Sequence, residues 1–461
     1  MLRHQPSTLP TPTPRSPEGP LATDLGWRDF FRDPRLQTLI ATAFERNRDL
    51  AQSLARIDQA RAQFRIQASQ RLPNVAANAG ATRSQQPIAG LGFGNALPGG
   101  GGGAGAPSAI NIEQYSASIG VSSFELDLWG RVKNLTEAER ARYLASVEGA
   151  RAFRLSLIAQ VASAYFDILA GQERITVAER ALAGRREGVE IARDRMEAGV
   201  TSSVDFNQAV LLLTQAEAEL AELQRTTQQS RNLLDVLTGG PIDTRLSAPL
   251  GLATDVQVRP IAPGLPSALL ANRPDLLQAE YNLLAANANI GAARAQLFPS
   301  ISLTGSFGFL STALGSLFEG GNRTWSVNGA VSQPIFDWGQ RRGNIRLSEA
   351  QAAELVAAYQ RTVQGAFQEV ADGLVGRRYL RDQIDAQTRT VQAQRELAET
   401  ARLRYDNGIS IYLEVLDAER NRFAAEQTLI QLRALELQNA VTLYTALGGG
   451  SFASGGAGAV H

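Results

Sequence analysis

The sequence contains no cysteine among its 461 residues, and its only two histidines, His4 and His461, stand near the chain ends. Without cysteine there is no thiol nucleophile, disulfide or thiolate metal site. Without an internal histidine there is no Ser-His-Asp triad and no HExxH zinc motif. An enzyme would have to work with carboxylates alone, and no acidic pair occurs in a recognisable cleft context. We therefore expect a binding, structural or transport protein with no catalytic residues, no cofactor and no metal.

An excess of charge of either sign is also missing. The chain has 45 basic and 45 acidic residues, so its net charge is zero and a nucleic-acid partner is not expected. Uninterrupted apolar runs of 18 or more residues are absent, so we expect no transmembrane helix. Transmembrane β-strands remain open, because such strands are short and alternating and a hydropathy window misses them.

The N-terminal residues 1–33 are expected to form an extended arm, because residues 5–20 (QPSTLPTPTPRSPEGP) are too rich in proline for a helix. The N-terminal residues contain no basic segment followed by an apolar core, so no signal peptide is visible. A cytosolic chain, an already processed chain and a wrongly assigned start all agree with this pattern.

The C-terminal half of the sequence repeats the N-terminal half. The segment ARDRMEAGV (192–200) aligns with ARLRYDNGI (401–409), and Trp129-Gly130-Arg131 aligns with Trp338-Gly339-Gln340, both at an offset of 209 residues. Upstream, Leu72-Pro73-Asn74-Val75 matches Phe298-Pro299-Ser300-Ile301 at an offset of 226. The extra residues fall in the Gly/Pro/Ala-rich stretch 91–108, where a tolerated insertion indicates an exposed loop. The repeat predicts two similar structural units in one chain.

Each repeat reads as a helix, two strands and a hairpin of long helices. The first repeat spans 34–240 and the second 267–449, with a linker at 241–266 and a flexible tail at 450–461. The predicted parts are helices at about 34–71 and 267–297, strands at about 74–84, 112–124, 301–309 and 324–333, and helical hairpins at 129–238 and 338–447. In both hairpins the turn falls at a glycine, Gly199 or Gly408, where a positive φ is inexpensive.

The strands have one apolar face and one face of small polar residues. In ISLTGSFGF (301–309) the odd-numbered residues are mostly apolar and the even-numbered ones are Ser, Thr and Gly. A soluble β-sandwich shows the same alternation. The scarcity of charge on the polar face and a length of about 9–12 residues favour strands that cross a bilayer.

Four strands cannot close a barrel in lipid, where an open edge leaves backbone groups unpaired. Identical copies must therefore pool their strands. Two copies would give about eight strands with a filled interior, and three would give about twelve with room for a lumen.

The order of these motifs resembles the TolC-type outer-membrane efflux factors, and more closely their OprM/NodT-like lipoprotein branch. The resemblance covers about residues 24–449 and rests on WRDFFRDPRLQTLI (27–40), FELDLWGRVKN (124–134), NRPDLLQAEYNLLAANANIGAARAQLFPSISL (272–303), QPIFDWGQRRGNI (333–345) and RYDNGISIYLEVLDAERN (404–421). It implies a mixed α+β membrane protein: a homotrimer with a 12-stranded β-barrel among outer-membrane lipid and a coiled-coil α-helical tunnel in the periplasm. The lipoprotein branch carries an acylated N-terminal cysteine, which this sequence lacks.

The resemblance also implies a function and partners. Such channels are passive exit ducts for drugs or other small molecules, delivered by an inner-membrane efflux pump and a periplasmic adaptor protein, and they contribute to multidrug resistance. An exit duct for type I protein secretion is the alternative within transport. A soluble coiled-coil scaffold with a β-sandwich head is the alternative from another class of protein.

Two groups of site residues follow from the resemblance. The periplasmic gate is expected at Leu413, Glu414, Asp417 and Arg420, with Asp205 at the equivalent acidic position of the first repeat. Repetition around a threefold axis would gather the acidic side chains, which would attract cations. The adaptor is expected to dock on the two hairpin turns, at Gly199, Val200, Thr201, Gly408, Ile409 and Ser410. The alternative for the gate residues is an ordinary exposed helix face with a local Asp–Arg pair. The alternative for the docking residues is a pair of plain hairpin turns.

Overall fold

The computed structural model describes residues 20–87, 109–242, 248–262 and 271–449. The predicted exposed loop at 91–108, the predicted tail at 450–461, most of the N-terminal arm and parts of the linker lie outside the described residues.

Within the described residues the elements follow the predicted order of helix, strand pair and helical hairpin, twice over. The helices are α1 (Pro34–Arg46), α2 (Arg48–Ser69), α3 (Arg131–Glu197), α4 (Ser203–Thr238), α5 (Pro274–Ala295), α6 (Gln340–Asp406) and α7 (Tyr412–Ala446). The strands are β1 (Val75–Pro87), β2 (Ala109–Glu125), β3 (Ser300–Ser311) and β4 (Arg323–Ser332). Short helical turns lie at Ala22–Asp24, Trp27–Phe30, Thr254–Gln257, Leu314–Ser316 and Gly320–Asn322.

The prediction of a single helix over 34–71 is wrong, because the chain breaks at Asn47 between α1 and α2. Asn47 has an extended backbone, with φ −62° and ψ 127°, and its side-chain oxygen accepts the Leu50 N–H at 2.8 Å. Asparagine favours such a cap because its side chain competes with the helical backbone for hydrogen bonds. The corresponding helix of the second repeat, α5, begins at Pro274, in keeping with proline at the first helical position, and residues 267–270 of the predicted helix lie outside the described residues.

The prediction of an extended arm over 1–33 is also wrong for its last residues. Trp27–Phe30 is helical, and both Phe30 and Phe31 are fully buried. The Phe30 ring stacks on Tyr444 near the end of α7, with 4.2 Å between the ring centroids. These apolar side chains anchor this part of the chain, because burying each aromatic ring removes a large apolar area from water.

The four strands form one antiparallel sheet in the order β1-β2-β3-β4. Val75 pairs with Val121 in the first hairpin, and Ile301 pairs with Val331 in the second. The two hairpins therefore pair in equivalent registers. Between them, β2 pairs with β3 through Val121 opposite Gly305, and β2 has a bulge between Val121 and Phe124.

This register sorts the side chains onto two faces, as the alternation predicts. One face carries Val75, Ala77, Ala79, Ala81, Tyr115, Ala117, Ile119, Val121, Phe124, Ile301, Leu303, Phe307, Phe309, Trp325, Val327 and Val331. The other carries Asn78, Thr82, Gln114, Ser116, Ser118, Ser302, Thr304, Ser306, Thr324, Ser326 and Asn328, with Gly80, Gly120 and Gly308. β1 and β4 are the two edges, and each pairs with only one strand among the described residues.

The longest helices are α3 and α6, with 67 residues each, which corresponds to about 100 Å at 1.5 Å per residue. Each turns back into a shorter helix, α4 of 36 residues or α7 of 35 residues. The largest cluster of buried apolar side chains joins the middle of α3 to the C-terminal half of α7 and includes Leu157, Phe166, Leu437 and Tyr444.

The chain divides into two compact units that do not follow the sequence repeats. The helical unit comprises 1–57, 145–280 and 358–461, and the strand unit comprises 58–144 and 281–357. Each unit takes segments from both repeats, because the strand pairs assemble with one another and the helical hairpins do the same.

One helix in the described part of the chain, α3, has an 18-residue window with a mean hydropathy of 1.3, which is apolar enough to cross a membrane by length and composition. This window is not an uninterrupted apolar run, because its mean hydropathy is an average over apolar and polar residues. Half of it is buried inside the protein, which is also how a core helix passes this test.

Candidate functional site

The candidate site lies in the helical unit, at the two turns that join α3 to α4 and α6 to α7. Both turns place a glycine in the left-handed region, Gly199 at φ 70° and Gly408 at φ 71°. The N–H of the next residue, Val200 or Ile409, donates to the carbonyl five residues earlier at 2.9 and 2.8 Å. This hydrogen bond, together with the glycine, is the usual way of ending a helix. The predicted positions of both turns are confirmed.

The two turns begin their second helices differently. At the start of α4, the Ser202 hydroxyl accepts the Asp205 N–H at 3.4 Å, and the Asp205 carboxylate accepts the Ser202 N–H at 3.4 Å and a bond from the Thr201 hydroxyl. This capping box, led by the Thr201 hydrogen bond, lowers the pKa of Asp205. At the start of α7 the equivalent position is Ile411, which offers no side-chain cap. The second turn is therefore the less firmly held of the two.

Of the predicted gate residues, the structure brings Asp417 and Arg420 together. Arg420 Nη2 lies 2.8 Å from Asp417 Oδ1 within α7, and both side chains are more than half exposed. Leu413 and Glu414 are exposed in the first turn of the same helix. Asp205 is held in the cap of α4 and forms no ion pair with the α7 residues.

A cavity of about 550 Å³ opens between the first turn and the start of α7. Gly199, Val200 and Thr201 of the predicted docking residues line it, together with Asp205 and Leu413 of the predicted gate. The rest of its lining is Ile191, Ala192, Arg195, Ser202, Gln208, Ala209, Ile411, Tyr412 and Leu416. Gly408, Ile409 and Ser410 of the second turn lie outside this cavity.

Ties between the two helical hairpins were not anticipated from the sequence. Arg402 Nη2 on α6 donates to Glu187 Oε1 on α3 at 2.8 Å, and this hydrogen bond raises the pKa of Arg402. One turn further along, Arg195 donates to the Tyr405 hydroxyl at 3.3 Å. Sequence repetition points to 401–409 as a segment, but nothing in it identifies Glu187, which is 215 positions away.

Tyr412 completes these contacts at the first turn of α7. Its ring meets Tyr405 edge to face at 5.0 Å, and its hydroxyl approaches Gly188 so closely that a Cβ there would clash. Burial raises the pKa of Tyr412 to about 12, against the opposing effect of the Arg402 charge and with a smaller upward contribution from the Glu187 carboxylate. Tyr412 therefore stays neutral while the hairpins are packed.

Exposed apolar side chains project from both turns. Val200 and Val204 from the first, and Ile409 and Ile411 from the second, are each about two-thirds exposed. Single exposed apolar residues are ordinary, but a group of them at the end of a structure is typical of a protein-interaction surface. In the described residues no group of three or more His, Asp or Glu side chains is arranged to hold a metal ion.

Comparison with known proteins agrees with these features. A model of the outer membrane efflux protein family matches residues 39–240 and 265–449. The antibiotic efflux pump outer membrane protein ArpC of Pseudomonas putida is 42% identical over 429 residues, which cover 93% of this chain and 86% of that protein. The toluene efflux pump outer membrane protein TtgC of Pseudomonas putida shows the same identity and coverage. The open state of the Neisseria gonorrhoeae MtrE outer membrane channel superposes with a TM-score of 0.82 at 37% identity and covers 98% of each chain.

Proposed function

The chain belongs to the outer membrane efflux protein family, and from this premise we propose that three copies of it form the exit duct of a tripartite efflux system. Four strands from each copy join a 12-stranded barrel in the outer membrane. The helical hairpins of the three copies enclose a tunnel in the periplasm. The duct is passive, and an inner-membrane pump fills it through a periplasmic adaptor.

The observation that carries the assembly is the four-stranded sheet with two edges, β1 and β4, that pair with only one strand each. In lipid, such edges have no water to satisfy their backbone groups, so another strand must cover them. Pairing β4 of one copy with β1 of the next removes both edges around a ring. Three copies are the smallest ring whose strand number leaves an open lumen.

The two faces of the sheet support the same arrangement. The apolar face carries exposed aromatic and β-branched side chains, such as Phe307, Trp325 and Val331, which suit contact with lipid. On the polar face a Cβ added to Gly120 would lie 2.7 Å from the Gly305 carbonyl oxygen, and one added to Gly308 would meet Ala117. The same addition at Gly329 on the apolar face meets open space. The polar face is thus the crowded, inner side of the curved sheet and would line a wet lumen.

The hairpin turns would serve as gate and docking surface. Leu413, Glu414 and Asp417 from three copies would surround the axis at the closed tip, with Arg420 as a counter-charge. The support is their exposure on α7, the helix that begins at the turn without a side-chain cap.

The exposed apolar residues at the turns would receive the adaptor. Val200 and Ile409 belong to the predicted docking residues, and Val204 and Ile411 extend the same apolar ends of the hairpins. Gly199, Thr201, Gly408 and Ser410 would shape the backbone on which the adaptor rests.

The cargo is proposed to be small molecules. The relatives named above are an antibiotic and a toluene efflux component, and both match this chain over nearly its whole length. Antibiotics and aromatic solvents differ in chemistry, which fits a duct that selects little and a pump that selects the substrate.

The test combines mass and conductance. Native mass spectrometry in detergent should give about 150 kDa, three times the 49.5 kDa of one chain, and the same sample should form ion channels in planar bilayers. A folded, stable monomer would refute the shared barrel. A trimer that never conducts, even after the tip residues are neutralised, would refute the duct.

A further inference from the structure

Trp129, in the strand unit, links the end of β2 to the start of β3. Its indole Nε1 donates to the Pro299 carbonyl at 2.8 Å, and its ring stacks on Phe298 with 4.8 Å between centroids. Pro299 directly precedes β3, and Trp129 follows β2 by a few residues. The contact therefore fastens two neighbouring strands where they meet the helices.

Trp338 occupies the position of Trp129 in the second repeat, yet it has no such partner in the described chain. Its side chain is 91% exposed, and its one ring contact is with its neighbour Phe336 at 4.7 Å. The backbones of the two tryptophans also differ, because φ is positive at Trp338, at 53°, and not at Trp129. The repeat thus contains a tryptophan whose equivalent contact is missing within one copy.

The missing partner has an equivalent in the first repeat. Pro73 and Leu72 correspond to Pro299 and Phe298, and Leu72 is 71% exposed. Pro73 precedes β1, which is one edge of the sheet, and Trp338 follows β4, which is the other edge. The two halves of the contact therefore lie at opposite edges of the same sheet and cannot meet within one copy.

The strand pairing defines how the edges would fit. Val331 on β4 corresponds to Val121 on β2, because each is paired with the equivalent residue of its own hairpin. Gly305 on β3, which pairs with Val121, corresponds to Ala79 on β1. Equivalent residues of β2 and β4, such as Val121 and Val331, are therefore 210 positions apart rather than the 209 found for Trp129 and Trp338, because the bulge in β2 adds a residue that β4 lacks.

We propose that a second copy of this chain supplies the missing contact: Trp338 Nε1 of one copy donates to the Pro73 carbonyl of the next, and β4 pairs with the next copy's β1 with Val331 opposite Ala79. Leu72 of the next copy takes the place of Phe298 against the indole ring. The strand-pair contact that is made once inside each copy is repeated once between copies. This inference rests on the proposed ring of copies and adds its register and its fastening residue.

Cysteine pairs test the register directly, because the chain has no native cysteine. The double variant Ala79→Cys/Val331→Cys and its polar-face counterpart Thr82→Cys/Asn328→Cys should both approach disulfide geometry between copies. One of the two is a non-hydrogen-bonded pair, with Cα atoms about 4.5 Å apart, and should link more readily. An internal disulfide is excluded, since the edges of a four-stranded sheet are about 14 Å apart. Ala77→Cys/Val331→Cys, slipped by two residues, is the matched control, and its diagonal distance of about 7–8 Å is too long.

Oxidation should convert a register-matched variant to a covalent trimer on a denaturing gel, reversed by reductant, with little product from the slipped control. Native mass spectrometry on the same samples distinguishes a wrong register from the absence of the proposed trimer. A trimer that links in the slipped register, or in none of these pairs, would overturn the register while the proposed function stands. A monomer would overturn both.

The indole contact has its own test. Trp338→Phe keeps an aromatic ring but removes the N–H, so the trimer should dissociate at a lower temperature in detergent. Trp325→Phe, on the apolar face of β4, is the matched control and should leave dissociation close to that of the native protein. Equal dissociation temperatures for Trp338→Phe and the native trimer would overturn the hydrogen bond to Pro73.

Discussion

Replacing Arg402 with alanine is expected to shift the channel tip towards the open state. Arg402 joins α6 of the second hairpin to α3 of the first by its 2.8 Å ion pair with Glu187, beside the hydrogen bond from Arg195 to Tyr405. It also lies 3.3 Å from Asp406 on its own helix, but that second contact does not join the hairpins. If opening requires the second hairpin to move relative to the first, loss of the Glu187 contact lowers the cost of opening.

The magnitude follows from the exposure of the pair. The Arg402 and Glu187 side chains are 41% and 52% exposed, so solvent screens their attraction. Pairs of this kind stabilise by about 0.2–1 kcal/mol each. Three copies opening together would lose about 0.6–3 kcal/mol, which corresponds to a change of roughly 3- to 150-fold in the ratio of open to closed channels.

Single-channel recording in planar bilayers measures this ratio as open probability. Arg402→Ala and Glu187→Ala should raise it by similar factors, and the double variant should add little, because either change removes the same contact. Arg225→Ala is the matched control, since Arg225 pairs with Glu222 on the same helix, at similar exposure, without joining the hairpins. If Arg402→Ala and Arg225→Ala have equal open probabilities, the tie between the hairpins does not restrain the tip.

Three further predictions concern the strands, the tip and pH. Leu303→Arg should destabilise trimer assembly by about 2–4 kcal/mol, because the arginine would meet lipid near the midplane, whereas Thr304→Arg on the opposite face should assemble normally. Native gels measure the trimer yield, and equal yields for the two variants would show that the apolar face does not contact lipid. The double variant Glu414→Ala/Asp417→Ala should increase conductance and weaken block by divalent cations, with trimer yield unchanged; native cation block in that variant would mean that these carboxylates are ordinary surface charges. Tyr412 has its pKa raised to about 12 by burial, so the packed hairpins keep a proton that a separated tip, with a pKa of about 10, releases. The contribution of Tyr412 to the closed state is complete below pH of about 10 and is lost as the pH rises towards 12. Conductance should therefore rise over that range in the native channel but not in Tyr412→Phe. Identical pH profiles of conductance for the two proteins would show that Tyr412 does not stabilise the closed state.

The features predicted correctly from the sequence are those that depend on nearby residues. Gly199 and Gly408 adopt the positive φ expected of them, because a turn between long helices needs a conformation that glycine reaches without steric cost. The alternation in 301–309 assigns Leu303 and Thr304 to opposite faces, because the side chains of a strand point to alternate sides. The repeat itself also carried over to the structure, since both strand pairs form in equivalent registers, although the bulge in β2 changes the offset of 209 to 210 within β2 and β4.

The prediction of a single first helix failed at one residue, Asn47, for a reason that composition does not reveal. Asn47 stands in a helical pattern, and whether it ends a helix depends on what its side chain contacts. Here its amide also donates to the Leu237 carbonyl at 3.0 Å, on a helix that is 190 positions away. A long-range hydrogen bond of this kind stabilises a break that the pattern alone would pass over.

At the candidate site, tertiary structure decided which charged groups act together. Asp205, which the sequence indicated as a gate residue by its repeat position, is also held in the Ser202 capping box of α4, and this local pattern was not recognised in the sequence. The contacts that join the hairpins, Arg402 with Glu187 and Arg195 with Tyr405, connect residues more than 200 positions apart. The sequence alone determined the turns, the strand faces and the repeat, because each follows from periodicity or from the conformational freedom of single residues. Only the packing of one hairpin against the other decided these pairs, because a hydrogen bond or an ion pair requires its two groups to lie within a few ångströms, and no local pattern specifies that distance.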